Sequence, residues 1–201
     1  MMKYLALAFV LFAGPTPARA TWSVIALDAR SGQVVIASAT CVRQEAFPKR
    51  EPSAARDLMD LQAVIVPGGT LLGDQVVYLA ALAFTRATGT LADRVMAAME
   101  AADANGGDHR CNCGSNPMDF VPCDNKTAHV SYIAIAEKDD PQGVTHNDGK
   151  YFAYISVMDN DIKRGESGNP VRTLRMRYDA WVKSGSPRLA PPPPTLYQPK
   201  T

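Results

Sequence analysis

The sequence predicts a single α+β domain, and three observations support this class. A chain of 201 residues, 46% hydrophobic and 20% charged, has the length and composition of one globular domain with a packed core. Two short β-rich runs come first, helical patterns follow, and two further strand patterns precede a last helix. Strands and helices that are segregated along the chain favour separate layers over a doubly wound parallel sheet.

Residues 1–20 have the pattern of a secretory signal peptide. A short positive segment ending at Lys3 precedes an apolar run over residues 4–13, which is too short to span a bilayer. Ala18-Arg19-Ala20 then matches the small residues of a cleavage site. We therefore expect a mature chain that begins at Thr21 and is exported, to the periplasm or out of the cell. The alternative is an uncleaved N-terminal anchor.

Charge and hydropathy argue against several classes of protein. The full chain has a formal net charge of +1, and loss of residues 1–20 removes two basic residues and no acidic residue, which leaves −1. A near-neutral chain has no overall electrostatic attraction towards nucleic acid, so we expect no such partner. No second apolar stretch reaches the length of a membrane span, and we expect no span after cleavage.

The mature region opens with a predicted β-hairpin. Residues 21–27 and 34–39 are rich in β-branched side chains, and residues 28–32 place Asp and Gly where a tight turn needs them. Residues 61–66 form a third short β-branched run, which ends at Pro67-Gly68-Gly69. We expect the first two strands to pair antiparallel.

Two helices are predicted in the middle of the chain. Residues 71–87 have helical composition. Thr90, followed three residues later by Asp93, resembles a capping box at the start of the next helix. The apolar face of that helix repeats at three- and four-residue spacing, at Leu91, Val95, Met96 and Met99. Asn105-Gly106-Gly107 is expected to end it.

The last part of the chain predicts a strand pair, a helix and a tail. Residues 129–136 alternate polar and apolar, and residues 151–158 are the expected partner strand. Asn169-Pro170 opens a helix through about Val182. Four consecutive prolines make 185–201 a Pro-rich C-terminal tail of polyproline II type, so the single domain is expected to cover 21–184.

Thr21 is a candidate nucleophile because it would be the first residue of the mature chain. An N-terminal Thr has a hydroxyl nucleophile and a free α-amine on the same residue. The amine has an ordinary pKa of ~7.7–8.0, so a useful fraction is neutral at pH 7 and accepts the hydroxyl proton. Signal cleavage alone would create this group. The alternative is a small polar residue that merely starts a strand.

A polar cluster follows the second helix. Asp103, Asp108, His109 and Arg110 flank the Gly-Gly segment, where they would bind a substrate or simply solvate a loop. His129 and His146 have no partner that the sequence reveals. No phosphate-binding loop, dinucleotide fingerprint, nucleophile elbow or zinc-protease motif is present, and we expect no cofactor.

The four cysteines predict two disulfides. Their even number suits an exported chain, and Cys111 and Cys113 are too close in sequence to pair easily with each other. They are expected to pair separately with Cys41 and Cys123, in an order that the sequence leaves open. A zinc site made of His109, Cys111, Cys113 and Cys123 is the alternative, although its spacing is not a common zinc signature.

Three blocks of sequence resemble the family known as domain of unknown function 1028. The first joins Thr-Trp-Ser-Val-Ile-Ala-Leu-Asp at 21–28 to Ser-Gly-Gln-Val-Val-Ile-Ala-Ser-Ala-Thr-Cys at 31–41. The second is the helix and Gly-Gly-Asp segment at 89–111, and the third combines 151–159 with the start of the last helix. The blocks cover about half of the mature chain, and their order is fairly specific.

The resemblance implies a fold and a set of site residues. The family is similar to the N-terminal-nucleophile hydrolases, which have an αββα sandwich of two sheets between helix layers. On this resemblance Thr21 is the nucleophile, and Asp28, Asp108 and Arg110 join it as catalytic residues. The family usually has a longer segment between Gly68 and Leu72. The sandwich is therefore expected to be incomplete, and the exposed strand faces favour homo-oligomers.

Three functions remain open at this point. The first is an exported N-terminal-nucleophile hydrolase that cleaves an amide bond in a small amide or peptide-like substrate through Thr21. The second is a non-catalytic exported or envelope-associated binding module, whose pocket the shortened segment has removed. The third is a small metal-binding domain at the cysteine cluster.

Overall fold

A computed structural model describes residues 21–41, 75–108, 126–140 and 151–189. Within these ranges the chain forms a four-stranded antiparallel sheet and three α-helices, which confirms the α+β class. The elements in chain order are β1 (Thr21–Leu27), β2 (Val34–Thr40), α1 (Val76–Arg86), α2 (Leu91–Ala104), β3 (Val130–Ala136), β4 (Ala153–Met158), a 3₁₀ turn (Asp159–Asp161) and α3 (Pro170–Lys183).

The sheet has the strand order β1-β2-β3-β4, and each neighbouring pair is antiparallel. Both predicted pairings, β1 with β2 and β3 with β4, are therefore confirmed. Thr21 lies opposite Thr40, Thr40 opposite Val130, and Val130 opposite Met158. The start of β1 and the chain segments that follow β2 and β4 thus meet at one end of the sheet, which we call the Thr21 end.

One face of the sheet packs against the helices and forms the core. Side chains that alternate along each strand point to this face, as Trp22 and Ala26 do in β1. The buried core includes Trp22, Ala26, Val35, Ala37, Ile133, Ile135, Ile155 and Val157 from the sheet, with Val95, Met96, Met99, Val171, Leu174 and Tyr178 from the helices. The apolar face predicted for α2 is the face that it buries.

The opposite face of the sheet carries no charged side chain on any of the four described strands. One register row across it consists of hydroxyl-bearing residues alone: Ser23, Ser38, Tyr132 and Ser156. On the central strands this face is buried except at the partly buried Val34 and Tyr132, whereas Ile25 and Leu27 on the edge strand β1 are 46% and 64% exposed. We call this surface the uncharged face.

Local capping explains where two of the helices start. The backbone N–H of Asp93 donates to Thr90 Oγ1, and the Thr90 N–H donates to Asp93 Oδ2, so the predicted capping box of α2 is confirmed. Asn169 Oδ1 accepts from the N–H groups of Val171 and Arg172 at the start of α3, with Pro170 in the first turn. Both helices begin where the sequence predicted.

Several sequence predictions fall outside the described residues. These are the signal peptide, the strand at 61–66, the shortened join near Gly68, and most of the Pro-rich tail. The first residues of that tail are described and contact the domain, since the Leu189 N–H donates to Phe152 O at 2.9 Å and Trp181 Nε1 donates to Pro187 O at 2.8 Å. No helix in the described ranges is long and apolar enough to cross a membrane.

Candidate active site

Thr21 and Asp108 meet at the Thr21 end of the sheet. The backbone nitrogen of Thr21 donates a hydrogen bond to Asp108 Oδ2 at 3.1 Å, although the two residues are 87 positions apart. Thr21 is the exposed first residue of an edge strand, whereas Asp108 is fully buried. Two of the four predicted catalytic residues are therefore in direct contact.

The end of α2 delivers Asp108 to this position. After Ala104 the chain passes through Gly106 and Gly107, whose φ values of +89° and +60° lie in the left-handed region that favours glycine. The Gly107 N–H donates to Ala102 O at 2.9 Å and closes the helix end. The predicted helix stop therefore also turns the chain so that the next residue lies beside the start of β1.

Asp28 lies at the other end of β1. At about 3.3 Å per residue, its Cα is about 23 Å from that of Thr21 along the strand. Its carboxylate accepts from the Arg30 N–H at 2.9 Å, and its carbonyl accepts from the Gly32 N–H at 2.8 Å. The Arg30 N–H, together with the Ser31 hydroxyl, holds the pKa of this carboxyl below its usual value. The structure thus gives Asp28 the role of a turn residue and does not bring it to Thr21.

Arg110 and His109 lie outside the described residues, but Asp103 is described and is buried. Asn169 Nδ2 donates to both of its carboxylate oxygens, at 3.0 and 3.2 Å, and Thr127 Oγ1 donates to Oδ1. Arg172 is 3.9 Å from Oδ2. Asp103 therefore ties the last turn of α2 to the segment before β3 and to the cap of α3, and it supports the backbone that leads to Asp108.

His129 acquires a partner that the sequence did not reveal. Its Nδ1 contacts Asp159 Oδ2, and Lys126 Nζ lies 3.0 Å from Asp159 Oδ1. The His129 N–H donates to Thr40 O at 2.7 Å, and the Asp159 N–H donates to His129 O at 3.1 Å. Through its backbone and its buried imidazole, His129 therefore connects the end of β2, the start of β3 and the segment after β4, directly beside the Thr21–Thr40 pair.

The uncharged face begins next to Thr21. Ser23 Oγ and Ser38 Oγ are 2.9 Å apart, and Ser38 Oγ donates to Trp22 O at 3.1 Å. The rings of Tyr132 and Tyr154 stack with centroids 5.5 Å apart. Burial raises the pKa of both phenols, so they stay neutral and act as hydrogen-bonding groups. The strand residues of this face nearest Thr21 therefore offer hydroxyl groups and no charged side chain.

The described residues do not test the prediction of two disulfides or their pairing order. Cys41 is fully buried just after β2, whereas Cys111, Cys113 and Cys123 lie outside the described residues. The expected pairing order of the four cysteines stays a prediction. Within the described ranges, no group of three or more His, Cys, Asp or Glu side chains has a geometry that holds a metal ion.

Comparisons with known proteins add one finding to this geometry. Neither the curated proteins nor the solved structures include a match to this chain. The model of a family described as "Family of unknown function (DUF1028)" matches residues 49–143, a span that contains α1, α2, Asp108 and β3 but not Thr21. The chain is thus similar to the DUF1028 family across this span, which confirms the family resemblance predicted from its sequence.

Proposed function

We propose that the mature protein is an exported N-terminal-nucleophile hydrolase that cleaves an amide bond in a small amide or peptide-like substrate. The hydrogen bond from the Thr21 nitrogen to the buried Asp108 carboxylate is the observation that carries the proposal. When Thr21 is the first residue, this nitrogen is an α-amine. The amine, the hydroxyl and a carboxylate that orients the amine would then lie within one small site.

Each group has a defined part in the proposed reaction. At a pH near or above the pKa that Asp108 raises, the α-amine is neutral and takes the proton of Thr21 Oγ1 while that oxygen attacks the substrate carbonyl. The resulting ammonium group is stabilised by Asp108, which lies within hydrogen-bond distance of it. The ammonium then gives its proton to the leaving nitrogen as the C–N bond breaks, which leaves an ester on Oγ1. Water hydrolyses that ester and restores the hydroxyl and the amine.

The uncharged face is consistent with two parts of the proposal, an uncharged substrate and a second layer of structure packed on the sheet. Ile36, Ser38 and Ala134 are at most 6% exposed on the side away from the helices, which favours a further layer packed there. We propose that the described sheet is one of the two sheets of an αββα sandwich. The exposed Ile25 and Leu27 at the β1 edge favour an incomplete second layer and self-association through that edge.

The same contact supports a second candidate function. A protonated α-amine held by Asp108 is an ion pair, and an amine that stays protonated is no base. In that case the terminus only anchors β1, and the protein is a non-catalytic exported binding module. Turnover that depends on Thr21 separates the two functions.

The test starts with the mass of the exported protein, which should correspond to a chain beginning at Thr21. A panel of amide substrates is then tried with four variants. Thr21→Ala and a chain with one extra residue before Thr21 should lose turnover, because the first lacks the hydroxyl and the second lacks the amine. Thr21→Ser should keep part of it.

The matched control is Thr85→Ala, which removes an exposed threonine hydroxyl on α1 and should leave turnover unchanged. Thermal melts of every variant show whether lost turnover reflects chemistry or unfolding. Full turnover by a folded Thr21→Ala protein would refute the hydrolase mechanism. An absence of turnover in the unmodified chain across the panel would favour the binding module.

A further inference from the structure

Gly107 and Trp22 make an unusually close contact beside the proposed site. A Cβ atom built on Gly107 would lie 2.7 Å from both Cη2 and Cζ3 of Trp22 and 3.3 Å from Cε3. Real Cβ atoms essentially never approach other atoms to 2.7 Å. The backbone at Gly107 therefore passes so close to the six-membered ring of the indole that this position needs a residue without a side chain.

The two partners of this contact are chain neighbours of the site. Trp22 directly follows Thr21, and Gly107 directly precedes Asp108. The indole is 3% exposed within the core, and its Nε1 has no hydrogen-bond partner in the part of the chain described here. Because the ring is buried among close-packed core side chains, a side chain added at Gly107 would displace the glycine backbone together with the residue that follows it.

We propose that the contact between Trp22 and Gly107 positions the Asp108 carboxylate on the α-amine of Thr21, which makes both of them positioning residues of this site. The indole ring limits how closely the backbone after α2 approaches the sheet, and the Asp108 carboxylate consequently lies at the start of β1. The inference rests on the proposed function only in taking Thr21 as the first residue of the mature chain.

The chain provides its own matched control. Gly106 also has a positive φ, +89° against +60° for Gly107, but a Cβ atom on Gly106 would meet nothing within 4 Å. Alanine at either position imposes backbone strain, and only Gly107→Ala adds the collision with Trp22. Both variants should therefore lower Tm, so a loss of stability alone does not distinguish them.

The distinguishing measurement is the pKa of the Thr21 α-amine, read by NMR from the pH titration of labelled threonine in a chain that begins at Thr21. The nearby carboxylate should raise this pKa above the ordinary ~7.7–8.0. Asp108→Asn supplies the reference without the carboxylate. We expect Gly107→Ala to bring the pKa down to that of Asp108→Asn, and Gly106→Ala to keep the raised pKa of the unmodified chain.

A second variant keeps the test decisive if Gly107→Ala does not fold. Adding Trp22→Phe to Gly107→Ala removes the outer ring atoms that would collide with the new Cβ, and part of the raised pKa should return. Three results would each refute the positioning role of Trp22 and Gly107. They are a Thr21 amine pKa that stays raised in folded Gly107→Ala, a pKa that falls equally in Gly106→Ala, and a pKa that does not rise again in the double variant. Because no substrate is used, a failure of amide hydrolysis would count against the proposed function alone.

Discussion

Replacing Asp108 by Asn in a chain that begins at Thr21 should remove a partly buried ion pair. Two unit charges 3.1 Å apart attract by about 5 kcal/mol at an effective dielectric constant of about 20, and by about 1 kcal/mol in bulk water. Asp108 is fully buried but Thr21 is exposed, so solvent screens the pair from one side. We therefore expect Asp108→Asn to lower the free energy of unfolding by about 2 kcal/mol at pH 6.

The loss of stability in Asp108→Asn should depend on pH because Asp108 raises the pKa of the α-amine. The carboxylate raises the pKa of the α-amine in the folded chain above that in the unfolded chain. Such a group contributes its full stability below the unfolded pKa of ~7.7–8.0, and the contribution disappears as the pH rises through the folded pKa. The difference between the unmodified chain and Asp108→Asn should thus be largest near pH 6 and much smaller at pH 10.

Urea denaturation at both pH values measures this difference. The control is a pair of chains with one alanine before Thr21, with and without Asp108→Asn. Their Thr21 nitrogen is an amide that does not ionise, so Asp108→Asn should cost less in them, with no such decline towards pH 10. An equal cost of Asp108→Asn in both backgrounds, or a cost at pH 10 as large as at pH 6, would refute the ion pair.

Two further predictions concern the scaffold. Arg177 donates Nε and Nη2 to the two Glu166 carboxylate oxygens at 2.9 and 2.8 Å, and together with the Lys163 N–H it lowers the Glu166 pKa from 4.5 to about 2. Glu166→Gln should therefore lower the free energy of unfolding by about 1–2 kcal/mol at pH 7. The unmodified chain should lose this contribution as the pH falls from 4.5 towards 2, and the variant should show no such loss in thermal melts across that range. Thr90→Ala should cost about 1 kcal/mol in urea denaturation by opening the capping box, and a loss below a few tenths would contradict that role.

Local sequence patterns determined most of the secondary structure. The predicted runs at 21–27 and 34–39 coincide with β1 and β2 to within one residue, and those at 129–136 and 151–158 contain β3 and β4. The capping box at Thr90 marked the start of α2. Such features depend on residues a few positions apart, whose spacing and side-chain chemistry act through the local backbone. The strand bounds and the start of α2 could therefore be predicted without knowledge of the fold.

The sequence also named both members of the central contact, Thr21 and Asp108, but not that they touch. Thr21 was singled out by its position after a predicted cleavage site, and the family resemblance predicted from the sequence assigned both residues to the site; only Asp108 lies within the span that the family model matches. It equally named Asp28, which a seven-residue strand carries to the far end of the sheet. A resemblance in sequence indicates which residues occur together in a family, but it gives no distances between them in the fold.

Only the tertiary structure decided which distant groups meet. The register of the sheet brings the end of β2, the start of β3 and the end of β4 to the start of β1, and His129 before β3 thereby meets Asp159 after β4. Packing of α2 on the sheet places Gly107 on the ring of Trp22 and thereby Asp108 at Thr21. These contacts depend on how buried apolar faces fit together over long separations in sequence, so no local pattern contains them.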